Sequence, residues 1–165
     1  MFPKMPTVEQ VRQLPSLLTM TIPPEWQDLN GHVNVQHYLG IYDRTGLALM
    51  EMLGIDESRF LVEKVGFFDL EHHIWYLNEM HVRDEVSAHT RFIAQSPKRF
   101  HGVMFVVNNT RGSLASAIEF VTTGADLTSR RTAALSDDIA ARVRRQIEGH
   151  ATLDWPAPQC GSIAP

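Results

Sequence analysis

A single cysteine, Cys160, occurs among 165 residues, so neither an internal disulfide nor a thiolate metal cluster can form. That fits a reducing cytoplasm. Long apolar runs are missing too. No stretch reaches the roughly 18 uncharged apolar residues of a membrane-crossing helix. The N-terminal "MFPKMPTVEQVRQLPSLL" carries charge and prolines where an export signal needs an unbroken apolar segment. A protein that is neither exported nor membrane-spanning is expected. Charge of one sign is not in excess: 15 basic against 19 acidic residues give a net charge of -4, so no broad cationic field faces a nucleic-acid backbone. Glycine-rich phosphate loops and the G-x-S-x-G nucleophile elbow are absent. Cys160 lies in the proline-rich "WPAPQCGSIAP", a poor setting for a thiol nucleophile. The eight histidines offer no H-x-x-x-H pair with a third ligand nearby, and strand alternation sends His72 and His73 to opposite faces. No metal is expected.

What is present has the balance of an ordinary globular chain, 44% hydrophobic and 21% charged. Its length suits one domain that buries roughly 70% of the surface its unfolded form exposes. Residues 1–16 read as an arm, 17–149 as the domain and 150–165 as a tail. A strand over about Leu17 to Ile22 ends at Pro23-Pro24, which cannot donate to a ladder. Asp28 to Gly31 form a turn. From Asn34 to about Leu53 the apolar positions go most of the way round a helical wheel, which predicts a helix surrounded by protein. The segments "GFFDLEHHIWYL", "EVSAHTRFIAQ", "RFHGVMFVVNN" and "SLASAIEFVTTG" read as strands. Their short connections imply antiparallel neighbours. Ser136 to Gly149 reads as a late helix, with Ser136 as N-cap and Gly149 as stop. The order predicts an α+β fold: a curved antiparallel sheet of about five strands wrapped around a long central helix, plus a C-terminal helix. Such a wrap leaves an edge strand and an apolar surface, so a homodimer is expected, with a tetramer open.

Asp28 stands just ahead of the central helix. A helix N-terminus has about four unpaired N–H groups and a partial positive charge, which favour an anion or an oxygen that becomes one. Gly31 lets the backbone approach a ligand closely. A carboxylate on the other side of whatever those N–H groups hold is the minimum for acyl-transfer hydrolysis. The plain alternative is that the acid only caps the helix. Spacing alone leaves both readings open.

The stretch "DLNGHVNVQHYLGIYDR" resembles the hotdog-fold acyl-CoA thioesterases of the 4-hydroxybenzoyl-CoA thioesterase type, with their acid, glycine turn and aromatic-rich helix. "LEHHIWYLNEMHVRDEV" and "SPKRFHGVMFVVNNTRGSLASAIEF" look like the betainyl-CoA thioesterase branch associated with carnitine breakdown. The likeness covers about Leu17 to Ala140. It implies Asp28 as the catalytic carboxylate, Gly31 in the turn, Val35 or a neighbour as oxyanion-hole amide, and His32 and Asn34 as orienting groups. Some relatives use an acid within the helix, and Asp43 lies nearest that position. The pattern departs at Arg83-Asp84, where relatives commonly show Gly-Asp.

The implied chemistry is hydrolysis of a small acyl-CoA to free acid and coenzyme A, with no cofactor beyond the coenzyme A of the substrate. Asp28 would act as nucleophile or general base. Coenzyme A phosphates need cations, for which Lys98 and Arg99 come first, followed by Arg91 and Arg130-Arg131. Trp26, Tyr38, Tyr42, Trp75 and Tyr76 are candidates for lining the acyl end, each of them also able to serve as core. Through cation–π attraction an aromatic cage would suit a trimethylammonium group. A hotdog hydratase or dehydratase using His32, and a non-catalytic acyl-CoA-binding module, are the alternatives.

Overall fold

The β-rich segments pair into one sheet in a computed structural model that describes residues 3–165. In chain order the strands are β1 (Ser16–Thr21), β2 (Val65–Tyr76), β3 (Glu85–Gln95), β4 (Arg99–Asn108), β5 (Ser113–Asp126) and the two-residue β6 (Arg131–Thr132). All are antiparallel to their neighbours, in the order β1-β3-β4-β5-β2, with β6 on the end of β5. The helices are α1 (Val8–Val11), α2 (Gln36–Met52), α3 (Glu57–Leu61) and α4 (Asp137–His150).

Alternation along the strands builds two apolar layers. Phe100, Met104 and Val106 of β4 and Ile118 and Phe120 of β5 meet Ile41, Tyr42 and Leu49 of α2. Val103, Phe105 and Val107 of β4 and Ala117 of β5 belong to a second cluster on the opposite face. Register shifts at Asp69/Glu71, Phe92/Ala94 and Val106/Val107 add twist where the sheet must curl about the helix. Gly102 sits at a tight point of that curl: a Cβ there would come within 2.7 Å of the Phe120 ring and 2.8 Å of the Arg91 carbonyl oxygen. The curled sheet around a helix is the arrangement that the hotdog resemblance implies.

The helix is less enclosed than its wheel suggests. Tyr38, Ile41, Tyr42, Thr45 and Leu49 face protein, but Val35, Leu39 and Leu47 are 58%, 42% and 70% exposed. A wheel counts apolar residues without knowing which side the sheet takes, so one apolar face of α2 is left uncovered in the single chain. Two other differences concern α4. It runs through Gly149 to His150, and the Ser136 hydroxyl donates to Asp138 Oδ1 at 2.7 Å instead of capping a backbone N–H.

Both terminal segments lie on the outer face of the sheet. Val8, Val11 and Leu14 cluster there with Trp155, whose Nε1 donates to Gln13 Oε1 at 2.9 Å. Burying each such side chain contributes about 1.5–3 kcal/mol. The elements that sequence reading missed, α1, α3 and β6, have four, five and two residues, too short to show a period. Among the described residues no helix is long and apolar enough to cross a membrane.

Candidate functional site

The loop ahead of α2 is held by its own backbone. A bridge pairs Gln27 with Val33, the Asp28 N–H donates to the His32 carbonyl at 2.9 Å and the Gly31 N–H donates to the Asp28 carbonyl at 3.1 Å. Gly31 takes a φ of +86°, which a side chain would resist. Within this turn the Asp28 carboxylate accepts the Asn30 N–H at 2.7 Å and the Asn30 side-chain amide at 3.3 Å. Burial pushes the carboxyl up, but donation by Asn30 and the neighbouring His32 outweigh it, so Asp28 stays below the ordinary aspartate range. Its side chain is 16% exposed.

Asp28 does not cap the helix. Asn34 does, with its Oδ1 accepting the Gln36 N–H at 3.1 Å. Val35 follows with helical dihedrals, φ −52° and ψ −34°. The His37 N–H is used by the Asn34 carbonyl and the Tyr38 N–H by that of Val35. Among the described residues no acceptor is paired with the Val35 N–H. Asp28 and Val35 line one cavity of about 790 Å³.

Of the residues singled out in the sequence, Asp28, His32, Asn34, Val35, Tyr38 and Tyr76 line that cavity. Gly31 shapes its loop. The others lie elsewhere. Trp26 is buried with its ring stacked on His37 at 4.4 Å and Arg44 5.5 Å above it. Tyr42 donates to Asp69 Oδ1 at 2.9 Å and, with Asp43, lines smaller clefts of about 340 and 210 Å³ along α2. Trp75 belongs to the outer-face cluster with Phe105 and Trp155, because alternation turns it away from Tyr76. Lys98 and Arg99 stand at the start of β4, nine residues from the Asn108 end, or about 30 Å along the strand. Arg130 stacks over Phe68, and Arg131 begins β6 at the same far end. Arg91 is buried and donates to the carbonyls of Trp155 and His150, so it is committed to packing.

Sequence reading missed Asn78, Glu79, His81 and Arg111, which complete the cavity wall. His32 Nε2 lies 3.9 Å from one Glu79 oxygen and His81 Nε2 lies 3.7 Å from the other. The Asn78 amide donates to the Leu114 carbonyl at 2.8 Å, tying the loop after β2 to β5. Arg111 Nε is bound by Asp84 at 2.7 Å. Asp84 is buried, which raises its carboxyl, but Arg111, Asn108 and the His81 N–H together bring it below the usual range. Only the polar density of "NEMHVRD" marks this loop in the sequence. The departure at Arg83 has a visible cost, since Arg83 holds φ +70° where a glycine would be at ease.

A model of the thioesterase-like superfamily matches residues 22–143. The chain belongs to that superfamily. Its thioesterase-like relatives include the betainyl-CoA thioesterase of Pseudomonas aeruginosa, 28% identical over 133 residues, which are 81% of this chain and 84% of that protein. The L-carnitine dehydrogenase/betainyl-CoA thioesterase of Rhizobium meliloti is 24% identical over 131 residues, 79% of this chain but 26% of its own length. This chain thus spans about a quarter of that two-activity relative. A Staphylococcus aureus protein solved in complex with CoA superposes with a TM-score of 0.79 at 22% identity, covering 92% of this chain and 96% of that one. The fold of this thioesterase-like chain is therefore the hotdog, α+β.

Proposed function

We propose that the protein hydrolyses a small acyl-CoA thioester to the free acid and coenzyme A. One observation carries the reading: Asp28 and Val35 line the same cavity, and no acceptor among the described residues takes the Val35 N–H. The Val35 amide receives the thioester oxygen as it gains charge, a donor worth roughly 3 kcal/mol. Asp28 either takes a proton from water, whose oxygen attacks the carbonyl carbon, or attacks through its own oxygen to give a mixed anhydride that water then cleaves. In both routes the C–S bond breaks with its electron pair leaving on sulfur. A thiol of pKa about 8.5 departs with little acid assistance. Because the carboxyl is held below its ordinary value, it is ionised across the neutral range, as either role requires.

The names of the relatives and the CoA complex of the structural neighbour support the acyl-CoA substrate, with betainyl-CoA the first to try. The uncovered α2 face and the free edge of β2 support a homodimer. The test is release of free thiol from a panel of acyl-CoAs, run with wild type and Asp28→Asn. The variant should lose about a hundredfold or more in turnover while still folding, because an asparagine keeps the oxygen that accepts the Asn30 N–H. The contact of 3.9 Å between His32 Nδ1 and Asp28 Oδ2 is what favours the hydratase alternative. Loss of enoyl absorbance without thiol would identify that chemistry.

A further inference from the structure

The charges around the cavity do not balance. Two carboxylates, Asp28 and Glu79, line it. Its one guanidinium, Arg111, is neutralised by Asp84, whose carboxylate lies 2.7 Å from Arg111 Nε. His32 and His81 are the remaining lining groups among the described residues that can take positive charge, each with a nitrogen within 3.9 Å of a Glu79 oxygen. Two tyrosines share the wall. Tyr38 and Tyr76 meet edge to face, with ring centroids 5.1 Å apart and planes at 84°. Tyr38 is fixed from behind by a 3.3 Å bond from its hydroxyl to the Asn78 carbonyl, whereas Tyr76 is half exposed. Burial, and after it the charge of Glu79, push the Tyr38 phenol up.

A carboxylate beside a pair of electron-rich rings attracts an organic cation and disfavours an anion. It offers a neutral acyl chain only contact area. We propose that Glu79, with the Tyr38 and Tyr76 rings, forms a subsite that selects acyl groups carrying a permanent positive charge. This rests on the acyl-CoA reading above and assigns a role to a residue outside the hydrolytic pair. Glu79 supplies the charge and the tyrosines supply the faces.

Two substrates isolate the charge from the shape. Betainyl-CoA and 3,3-dimethylbutanoyl-CoA have the same branched outline, with a quaternary nitrogen in the first where the second has carbon. Wild type should favour the cation by roughly fivefold in kcat/KM, in line with the strength of partly exposed cation–π and ion contacts, since Glu79 is 65% and Tyr76 51% exposed. Glu79→Gln should bring that ratio down by most of its value, and Tyr76→Leu should reduce it in part, with the change falling mainly on KM. A wild-type ratio near one, or a ratio unmoved by Glu79→Gln, overturns the subsite. A variant that slows both substrates equally gives that second result and marks Glu79 as a support for His32. Calorimetric titration with non-hydrolysable thioether analogues of the two substrates reads the same preference without turnover. Absence of thiol release alone would sink the hydrolase reading, and equal affinities of the two analogues would sink the subsite.

Discussion

At the scale of single residues, the division of labour between Asp28 and Asn34 decides what the loop can do. Both stand ahead of one helix, and either residue type could cap it. Because Asn34 takes the Gln36 N–H, the Asp28 carboxylate is left to its own turn and to the cavity. The Val35 N–H can be removed without altering charge or loop: its φ of −52° suits proline, a residue well tolerated at a helix start. Val35→Pro is expected to reduce kcat by about a hundredfold with an unchanged circular dichroism spectrum. Retained activity in that variant would move the oxyanion donor elsewhere. Arg83 offers a test in the opposite direction. Relief of its left-handed strain is worth about 1–2 kcal/mol, less the entropy that a glycine brings to the unfolded chain, about 0.5–1 kcal/mol. Arg83→Gly should therefore raise stability by up to about 1.5 kcal/mol in urea unfolding.

At the scale of elements, α4 is docked through a neutral histidine. The bulge in β3 leaves the Phe92 N–H to donate to His150 Nδ1 at 2.9 Å, and Arg91 donates to the His150 carbonyl. Burial, and then the Arg91 charge, lower the readiness of His150 to protonate, and burial does the same for His89. In the unfolded chain both protonate near pH 6.5. Their contribution to stability is thus complete above that value and is lost as pH falls through 6.5 toward their lower folded values, since the unfolded state then binds more protons. The urea midpoint should fall between pH 7.5 and 5.5. His150→Asn, whose side-chain oxygen stands where Nδ1 accepts the same N–H and does not titrate, should flatten part of that fall. A midpoint that rises on acidification would contradict the docking.

At the scale of the whole molecule, one face is finished and the other is not. The outer face of the sheet is covered by the chain's own ends, Val8 to Leu14 and Trp155. The α2 side still shows Leu39 and Leu47, next to β2, which is an edge strand bearing the exposed Leu70. A second copy is the expected cover there, because a long unpaired edge beside an apolar helix face is otherwise prone to aggregation. Leu47→Asp should shift sedimentation from dimer toward monomer while leaving secondary structure intact. An unchanged mass would place any interface elsewhere. The short elements and the α2 face show what sequence reading lacked: α1 and α3, four and five residues long, barely exceed one helical turn and show no repeat, and the direction in which α2 is exposed depends on where the sheet lies.

The sequence by itself determined the strands, the long helix and the Asp28 to Gly31 turn, because two-residue and 3.6-residue alternation and turn chemistry act between near neighbours in the chain. It also determined that an acid and a glycine would precede a helix N-terminus. Only the tertiary structure decided that Tyr76, Glu79, His81 and Arg111 complete the cavity, and that Trp75, Lys98 and Arg99 stand away from it. Those outcomes follow from strand register and sheet curl. One step of register sends a side chain to the other face, and ten residues of strand carry a charge to the other end of the molecule.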